Sequence, residues 1–215
     1  MMNIVDNLNV DIIANEVNQC PEEAWEQVRE WTAPTVKRVY NLYKQGVITD
    51  ADLIRRVEKV KYRQKNPDES VEQDRLHLLW QMTEDSSGLE WWDHDDWRNK
   101  QPSYNGKYID YFPCTVNLFT EYFGDRLQRM FFSRLRPGKQ LYPHSDGVWG
   151  EDFSSINRYG LVVITNNGCA ITVDGIMYKP TSGTLIEFDN ALIHSAINDG
   201  QHDRIVLYAD VKKLD

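Results

Sequence analysis

The spacing of hydrophobic and polar positions along this chain changes about halfway along its length, from a helical period to a strand period. In residues 21–45, Trp25, Val28, Trp31, Val36, Val39, Tyr40 and Tyr43 recur at intervals of three and four, which predicts a helix restarted at Pro34 and closed by Gly46. Thr49, with Asp52 three residues on, reads as the cap of a second helix through Leu53, Val57 and Val60. A third is predicted over 68–82, with Val71, Leu76, Leu79 and Trp80 as its apolar positions. Residues 86–112 are rich in Trp, Tyr, Asp and Gly and keep neither period, so they read as a long ordered loop or flap. A short amphipathic helix follows over 113–123, stopped by Gly124.

From Leu127 onward the pattern is that of strands. RMFFSRLRPGKQLYPHSDG predicts a strand, a Pro137-Gly138 turn and a second strand. YGLVVIT is apolar on both alternating faces, so it is expected to be covered on both sides. CAITV-DG-IMYKP predicts a hairpin, because Asp174-Gly175 can supply the positive φ angles of a two-residue turn. GTLIEFD, ALIHSAI and RIVLYADV supply three further strands. Seven or eight short strands with regular turn signals predict a sandwich or jelly roll. No repeat divides the chain, so residues 1–215 read as one domain: a helical and aromatic-loop support region, 1–112, and a jelly-roll core, 113–215.

Composition narrows the function. At 41% hydrophobic and 27% charged residues, the chain has the make-up of an ordinary soluble protein with a substantial core. A net charge of −9 argues against nucleic acid as partner, since a phosphate backbone demands a basic stripe; Arg134, Arg136 and Lys139 make only a local basic patch. The first residues have neither a basic flank nor a long apolar run, so neither signal peptide nor membrane helix is expected. Cys20, Cys114 and Cys169 are odd in number, far apart and without ligand spacing, which fits thiols in a reducing, cytoplasmic compartment.

The candidate chemistry lies in the strand-rich half. His144 and Asp146 are two apart at the end of a predicted strand, where alternation points both to one side. His194, in the predicted strand ALIHSAI, can complete a face of two histidines and one carboxylate. Such a face suits a non-haem Fe(II) with open positions for oxygen and a co-substrate. Arg204 shares a strand face with Val206 and Tyr208, and an inward arginine among apolar groups needs a partner, for which a carboxylate is the natural choice. A plainer reading makes His194 a hydrogen-bonded core histidine and His144 a surface one, with Arg204 paired to an acidic neighbour such as Asp210. A second His-x-Asp, His94 with Asp96, sits in the acidic run DHDD without strand pattern and reads as a solvated loop.

In order along the chain, Pro137-Gly138, Pro143-His144, Gly168-Cys169, Phe188-Asp189-Asn190 to His194, Arg204 and Asp210-Val211 resemble the aspartyl/asparaginyl β-hydroxylase family, which includes bacterial proline hydroxylases. The resemblance covers the last ~90 residues. It implies a double-stranded β-helix using Fe(II), 2-oxoglutarate and O2, with His144, Asp146 and His194 as metal ligands and Arg204 on the distal carboxylate of 2-oxoglutarate. Ser133 falls where the family places a hydroxyl on the co-substrate, and Arg158 or Tyr159 near its further polar contacts to co-substrate or substrate. The implied reaction hydroxylates a C–H of an amino acid, peptide or protein side chain and releases succinate and CO2. The loop over 147–157 and the aromatic segment 91–112, including Trp149, Phe153, Trp91, Trp92 and Trp97, are expected to wall or close the site. The competing expectation is a non-catalytic jelly-roll binding or sensor module.

Overall fold

Two antiparallel sheets organise the chain. The computed structural model describes residues 2–28, 44, 49–50, 73–80, 103–104, 108–144 and 156–213. Its strands are β1 (Met2–Asn7), β2 (Glu26–Val28), β3 (Gln73–Trp80), β4 (Ser103–Tyr104), β5 (Leu127–Leu135), β6 (Lys139–His144), β7 (Ile156–Ile164), β8 (Cys169–Val173), β9 (Ile176–Tyr178), β10 (Thr184–Phe188), β11 (His194–Asn198) and β12 (Arg204–Lys212). Among the described residues two α-helices can be bounded, α1 (Asp11–Gln19) and α2 (Pro113–Phe123). Among the described residues the larger sheet runs β1-β10-β7-β12-β5-β3-β2, with β4 beside β3, and the smaller runs β6-β11-β8-β9.

The continuous apolar runs are explained by burial on both faces. In β12, Ile205, Leu207, Ala209 and Val211 join Met130 and Phe132 of β5 and Leu161 and Val163 of β7 in an outer core. Ile13 and Val17 of α1 and Phe119 and Phe123 of α2 cover it. The alternate residues Val206 and Tyr208 face the other way, into an inner core with Phe131, Val162, Ile186 and Phe188 of the larger sheet and Ile171 and Val173 of the smaller. The space between the sheets is therefore a barrel lumen with its own apolar lining. This is the jelly roll expected from the strand spacing, in the form of the double-stranded β-helix that the resemblance implies.

Local chemistry sets the joints. At the β8–β9 hairpin both Asp174 (φ 50°) and Gly175 (φ 76°) are left-handed, the requirement of a type I′ two-residue turn. On the outer layer, the buried Glu16 of α1 accepts hydrogen bonds from the backbone N–H groups of Cys114 (2.6 Å) and Thr115 (3.0 Å) and from the Thr115 hydroxyl (2.6 Å). Those amides belong to the first turn of α2, where no intrahelical acceptor exists and negative charge is favoured. Glu16→Ala should therefore lower stability by about 1–3 kcal/mol, read by urea unfolding. An unchanged midpoint would show that the cap contributes nothing.

One predicted helix is a strand. Residues 68–82 were expected to be helical, yet Gln73–Trp80 is β3, antiparallel to β5. Leu76 and Leu78, two apart and both fully buried in the outer core, follow strand alternation, and the edge of β5 supplies backbone partners that a helix would not use. Tertiary pairing outweighs a loose helical period. The predicted helix over 21–45 begins instead with a 3-10 turn at Glu22–Ala24 and then β2, paired with β3; Lys44 is helical, and the rest of it lies outside the described residues, as does the run through Leu53, Val57 and Val60. The first twenty residues, in contrast, form β1 at the edge beside β10 and helix α1, with Val10, Ile13 and Val17 at spacings of three and four. Helix α2 and the strands from β5 onward lie where their patterns predicted, although β11 starts only at His194.

Candidate active site

The two histidines meet across the smaller sheet. Strands β6 and β11 pair with His144 directly opposite His194, which sets their Cα atoms about 4.5–5.5 Å apart. His194 is buried, and its Nδ1 lies 2.9 Å from the carbonyl oxygen of Leu192. A carbonyl only accepts, so Nδ1 carries a proton, and in the neutral ring Nε2 holds the lone pair. Fixing the tautomer through the other ring nitrogen is how metal-binding histidines are oriented. The Phe188 ring packs edge-on against the imidazole, with centroids 5.3 Å apart. Asp146 lies two residues beyond the end of β6, outside the described residues, as do His94, Asp96, Trp91, Trp92, Trp97, Trp149 and Phe153.

Arg204 opens β12 and is 2% exposed. It shares the lumen face with Val206 and Tyr208, by the strand period of two. Its Nη2 is buried without a hydrogen-bond partner among the described residues. A buried cation is costly unless matched, so this donor marks the place of an anionic group. The alternative partner, Asp210, is engaged elsewhere. Ser133 of β5 is buried opposite Val206, two residues from Leu135, the partner of Arg204. The histidine row and Arg204 thus lie toward opposite ends of one lumen, since β11 begins at His194 and the chain reaches Arg204 only after β11 ends.

The turn that delivers Arg204 is clamped by two asparagines. Asn198, fully buried, donates from Nδ2 to the carbonyls of Leu135 (2.8 Å) and His202 (2.9 Å). Asn166 donates to the Asn198 side-chain oxygen (3.1 Å) and the His202 carbonyl (2.8 Å), and its own oxygen accepts from the Gly168 N–H (2.9 Å). The β7–β8 turn is so close to the β11–β12 turn that a Cβ at Gly168 would lie 2.3 Å from the Gly200 nitrogen. That contact explains why a glycine precedes Cys169. Nothing in the one-dimensional pattern marked Asn166 or Asn198 beyond their places beside turns.

The remaining polar residues divide between the two faces. Arg158 binds Asp210 through two buried hydrogen bonds, Nε to Oδ1 at 2.7 Å and Nη2 to Oδ2 at 2.9 Å, with Arg129 3.6 Å from Oδ2. This cluster lies beyond Tyr208 on β12, at the far end of the strand from Arg204. Tyr159 belongs to the other face: its ring packs on Phe123 of α2 (4.8 Å between centroids) and its hydroxyl donates to Glu187 at 2.8 Å. Burial, reinforced by the Glu187 carboxylate, pushes the Tyr159 phenol above its usual range. The structure thus brings His144, His194, Ser133 and Arg204 to one barrel, and sets Tyr159 outside it.

Arg134 and Arg136, members of the basic patch, also lie away from the lumen, clasping Glu22. Arg134 contacts both its oxygens (2.8 and 2.7 Å) and lies over the Trp25 ring at 4.4 Å, while Arg136 reaches Oε1 at 2.6 Å. Hydrogen bonding from Arg134 chiefly, then its charge and Arg136, holds the Glu22 carboxyl at about 2 against the opposing effect of burial. The folded value is depressed, so this contribution is complete above the ordinary value of 4.5 and is lost as pH falls toward 2. The Glu22 side chain is 65% exposed, so the effect should stay below ~1 kcal/mol. Acid unfolding of Glu22→Gln should be correspondingly flatter below pH ~4.5; an acid limb as steep as that of the parent protein would contradict the pairing.

The architecture defines a protein of the double-stranded β-helix class. Within that class the chain belongs to the aspartyl/asparaginyl beta-hydroxylase family, whose sequence model matches residues 9–213, and it is therefore a member of a hydroxylase family. Among solved structures it is similar to an oxidoreductase of the 2OG-Fe(II) oxygenase family from Burkholderia pseudomallei, with 14% identity, 85% of this chain and 91% of that chain covered, and a TM-score of 0.46. It is also similar to a protein described as a predicted oxalate decarboxylase from Thermotoga maritima (15% identity, 44% and 74% covered, TM-score 0.33). A third is the Cnp3 cupin domain of Schizosaccharomyces pombe (8% identity, 40% and 56% covered, TM-score 0.32). No curated protein sequence matches the chain. Among the described residues no helix is long and apolar enough to cross a membrane.

Proposed function

We propose that this protein is a Fe(II)- and 2-oxoglutarate-dependent dioxygenase that hydroxylates a C–H of an amino acid, peptide or protein side chain. The observation that carries this reading is Arg204, a buried guanidinium with one nitrogen left unmatched in an apolar lumen. Its planar donor set suits the distal carboxylate of 2-oxoglutarate, and the buried Ser133 on the neighbouring strand is the hydroxyl that would assist it. His144, Asp146 and His194 would hold the metal, two imidazoles and one carboxylate being the donor set of non-haem Fe(II) sites with open positions. When bound, iron and 2-oxoglutarate supply the oxidising chemistry, in which O2 delivers one atom to succinate, formed with CO2, and the other to the substrate.

The chain itself contributes position and dryness. The Leu192 carbonyl, accepting from Nδ1, leaves Nε2 of the neutral His194 ring as the nitrogen that would bind the metal. Val206, Ile171, Val173 and Phe188 keep the lumen apolar, so charge at Arg204 acts in a low dielectric. Arg158, held by Asp210, serves to shape the far end of the lumen rather than to grip the co-substrate. Tyr159, on the outer face, takes no part in this reading. A reducing cytoplasmic setting, which keeps Fe(II) available, accompanies the proposal.

The test is anaerobic addition of Fe(II) and 2-oxoglutarate to the protein, followed by visible spectroscopy. A weak charge-transfer band, appearing only with both added, is the expected result. Metal bound without dependence on His144 or His194, and no band, would overturn the proposal in favour of a non-catalytic binding or sensor module.

A further inference from the structure

Arg204 stands at a corner of the larger sheet where the strand ladder runs out. On one side its register partner is Leu135, the last residue of β5. On the other, the pairing of β12 with β7 begins only at Ile205 and is irregular before Val206. A residue at such an end is held by few ladder hydrogen bonds and tends to fray. A guanidinium that is to grip one planar carboxylate needs the opposite, because its orientation fixes what its fork of donors can reach.

Asn198, the last residue of β11, closes that corner. Its Nδ2 donates to the carbonyls of Leu135, which is paired with Arg204, and of His202, which lies two residues ahead of it. Its Oδ1 accepts from the Gly200 N–H (3.2 Å), from Asn166 Nδ2 (3.1 Å) and from the Cys169 thiol (3.3 Å). Its backbone carbonyl accepts from the Gly138 N–H at 2.7 Å. One fully buried residue thus ties the β5–β6, β7–β8 and β11–β12 turns together where the chain delivers Arg204. Both donors and the acceptor of its amide are used, so it has no group left for a ligand. It acts through what it holds.

We propose that Asn198, supported by Asn166, is a positioning residue. It fixes the start of β12 so that the Arg204 guanidinium meets the distal carboxylate of a 2-oxo diacid, and it thereby sets the preference for that co-substrate over 2-oxo acids lacking a second carboxylate. The inference rests on the oxygenase reading and deepens it. A merely structural asparagine would lower stability and affect every 2-oxo acid alike.

The full chain, loaded anaerobically with Fe(II), is titrated by calorimetry with 2-oxoglutarate and with pyruvate, which has the same 2-oxo acid head and no distal carboxylate. Parent, Asn198→Ala and Asn166→Ala are compared, each also in an Arg204→Met background, at a temperature well below the melting point of every variant. Asn166 is only half-buried, so its replacement carries the test if Asn198→Ala does not fold. Each asparagine variant should weaken 2-oxoglutarate roughly tenfold, the lower end of the ~10–100-fold loss seen when a supporting partner of a metal ligand is removed. Pyruvate affinity should stay within about twofold, and in the Arg204→Met background the same substitutions should add no more than about twofold for 2-oxoglutarate. The second comparison decides without pyruvate. An equal loss for both acids, an unchanged 2-oxoglutarate affinity, or an undiminished loss in the Arg204→Met background would each overturn the assignment. A parent protein that binds no 2-oxoglutarate with Fe(II) present, or binds it equally well as Arg204→Met, would instead bring down the oxygenase reading, and this inference with it.

Discussion

Arg204→Met is expected to weaken 2-oxoglutarate binding by roughly a hundredfold while leaving the ligand-free fold at least as stable. Removing one member of a buried charge pair costs about 2–5 kcal/mol of binding, and each 1.4 kcal/mol is about tenfold. Stability should move the other way. In the absence of a ligand the guanidinium is 2% exposed with Nη2 unmatched, so an apolar side chain of similar length removes a desolvation cost. Titration of the 2-oxoglutarate band against co-substrate, together with thermal melting, separates the two. A lowered melting temperature with unchanged 2-oxoglutarate affinity would mean that Arg204 is structural and would remove the main support of the proposed function.

His194→Gln should abolish Fe(II) binding and succinate formation together. Glutamine retains most of the volume packed against Phe188, so the ring contact is weakened without opening a large cavity. Losing a direct ligand should exceed the ~10–100-fold effect of losing an outer-shell partner. Asp146→Ala, tested in parallel, should behave the same way if the carboxylate is the third ligand. Metal content after gel filtration and succinate release by the same sample are the measurements. Stoichiometric iron and near-parental turnover in either variant would sink the assignment of that residue.

Much of the fold was legible because it depends on local rules. A strand apolar on both alternating faces, such as YGLVVIT, has to be covered twice, and β7 is, by the helices on one side and the smaller sheet on the other. Asp-Gly between two apolar runs has few conformations open to it, and the β8–β9 turn adopts the expected one. Residues 73–80 were misread because their apolar spacing admits either period. Only the free edge of β5, brought close by the rest of the chain, decides for the strand. The polar residues show the same division. Arg158 and Tyr159 are neighbours in sequence, yet strand alternation sends one to Asp210 on the lumen side and the other to the outer face beneath α2.

By itself, then, the order of residues determined the strand-rich half, its turns, and the types of side chain, histidine, aspartate and arginine, from which a metal and carboxylate site can be built. The tertiary structure alone decided that His144 stands opposite His194, that Asp210 pairs with Arg158 instead of Arg204, and that Asn198 fastens the turn delivering Arg204. The reason is physical. Turn type and burial pattern are settled by interactions within a few residues, whereas cross-strand register and ion-pair choice depend on groups tens of residues apart. Their energies take effect only once the sheets have closed and water has left the space between them.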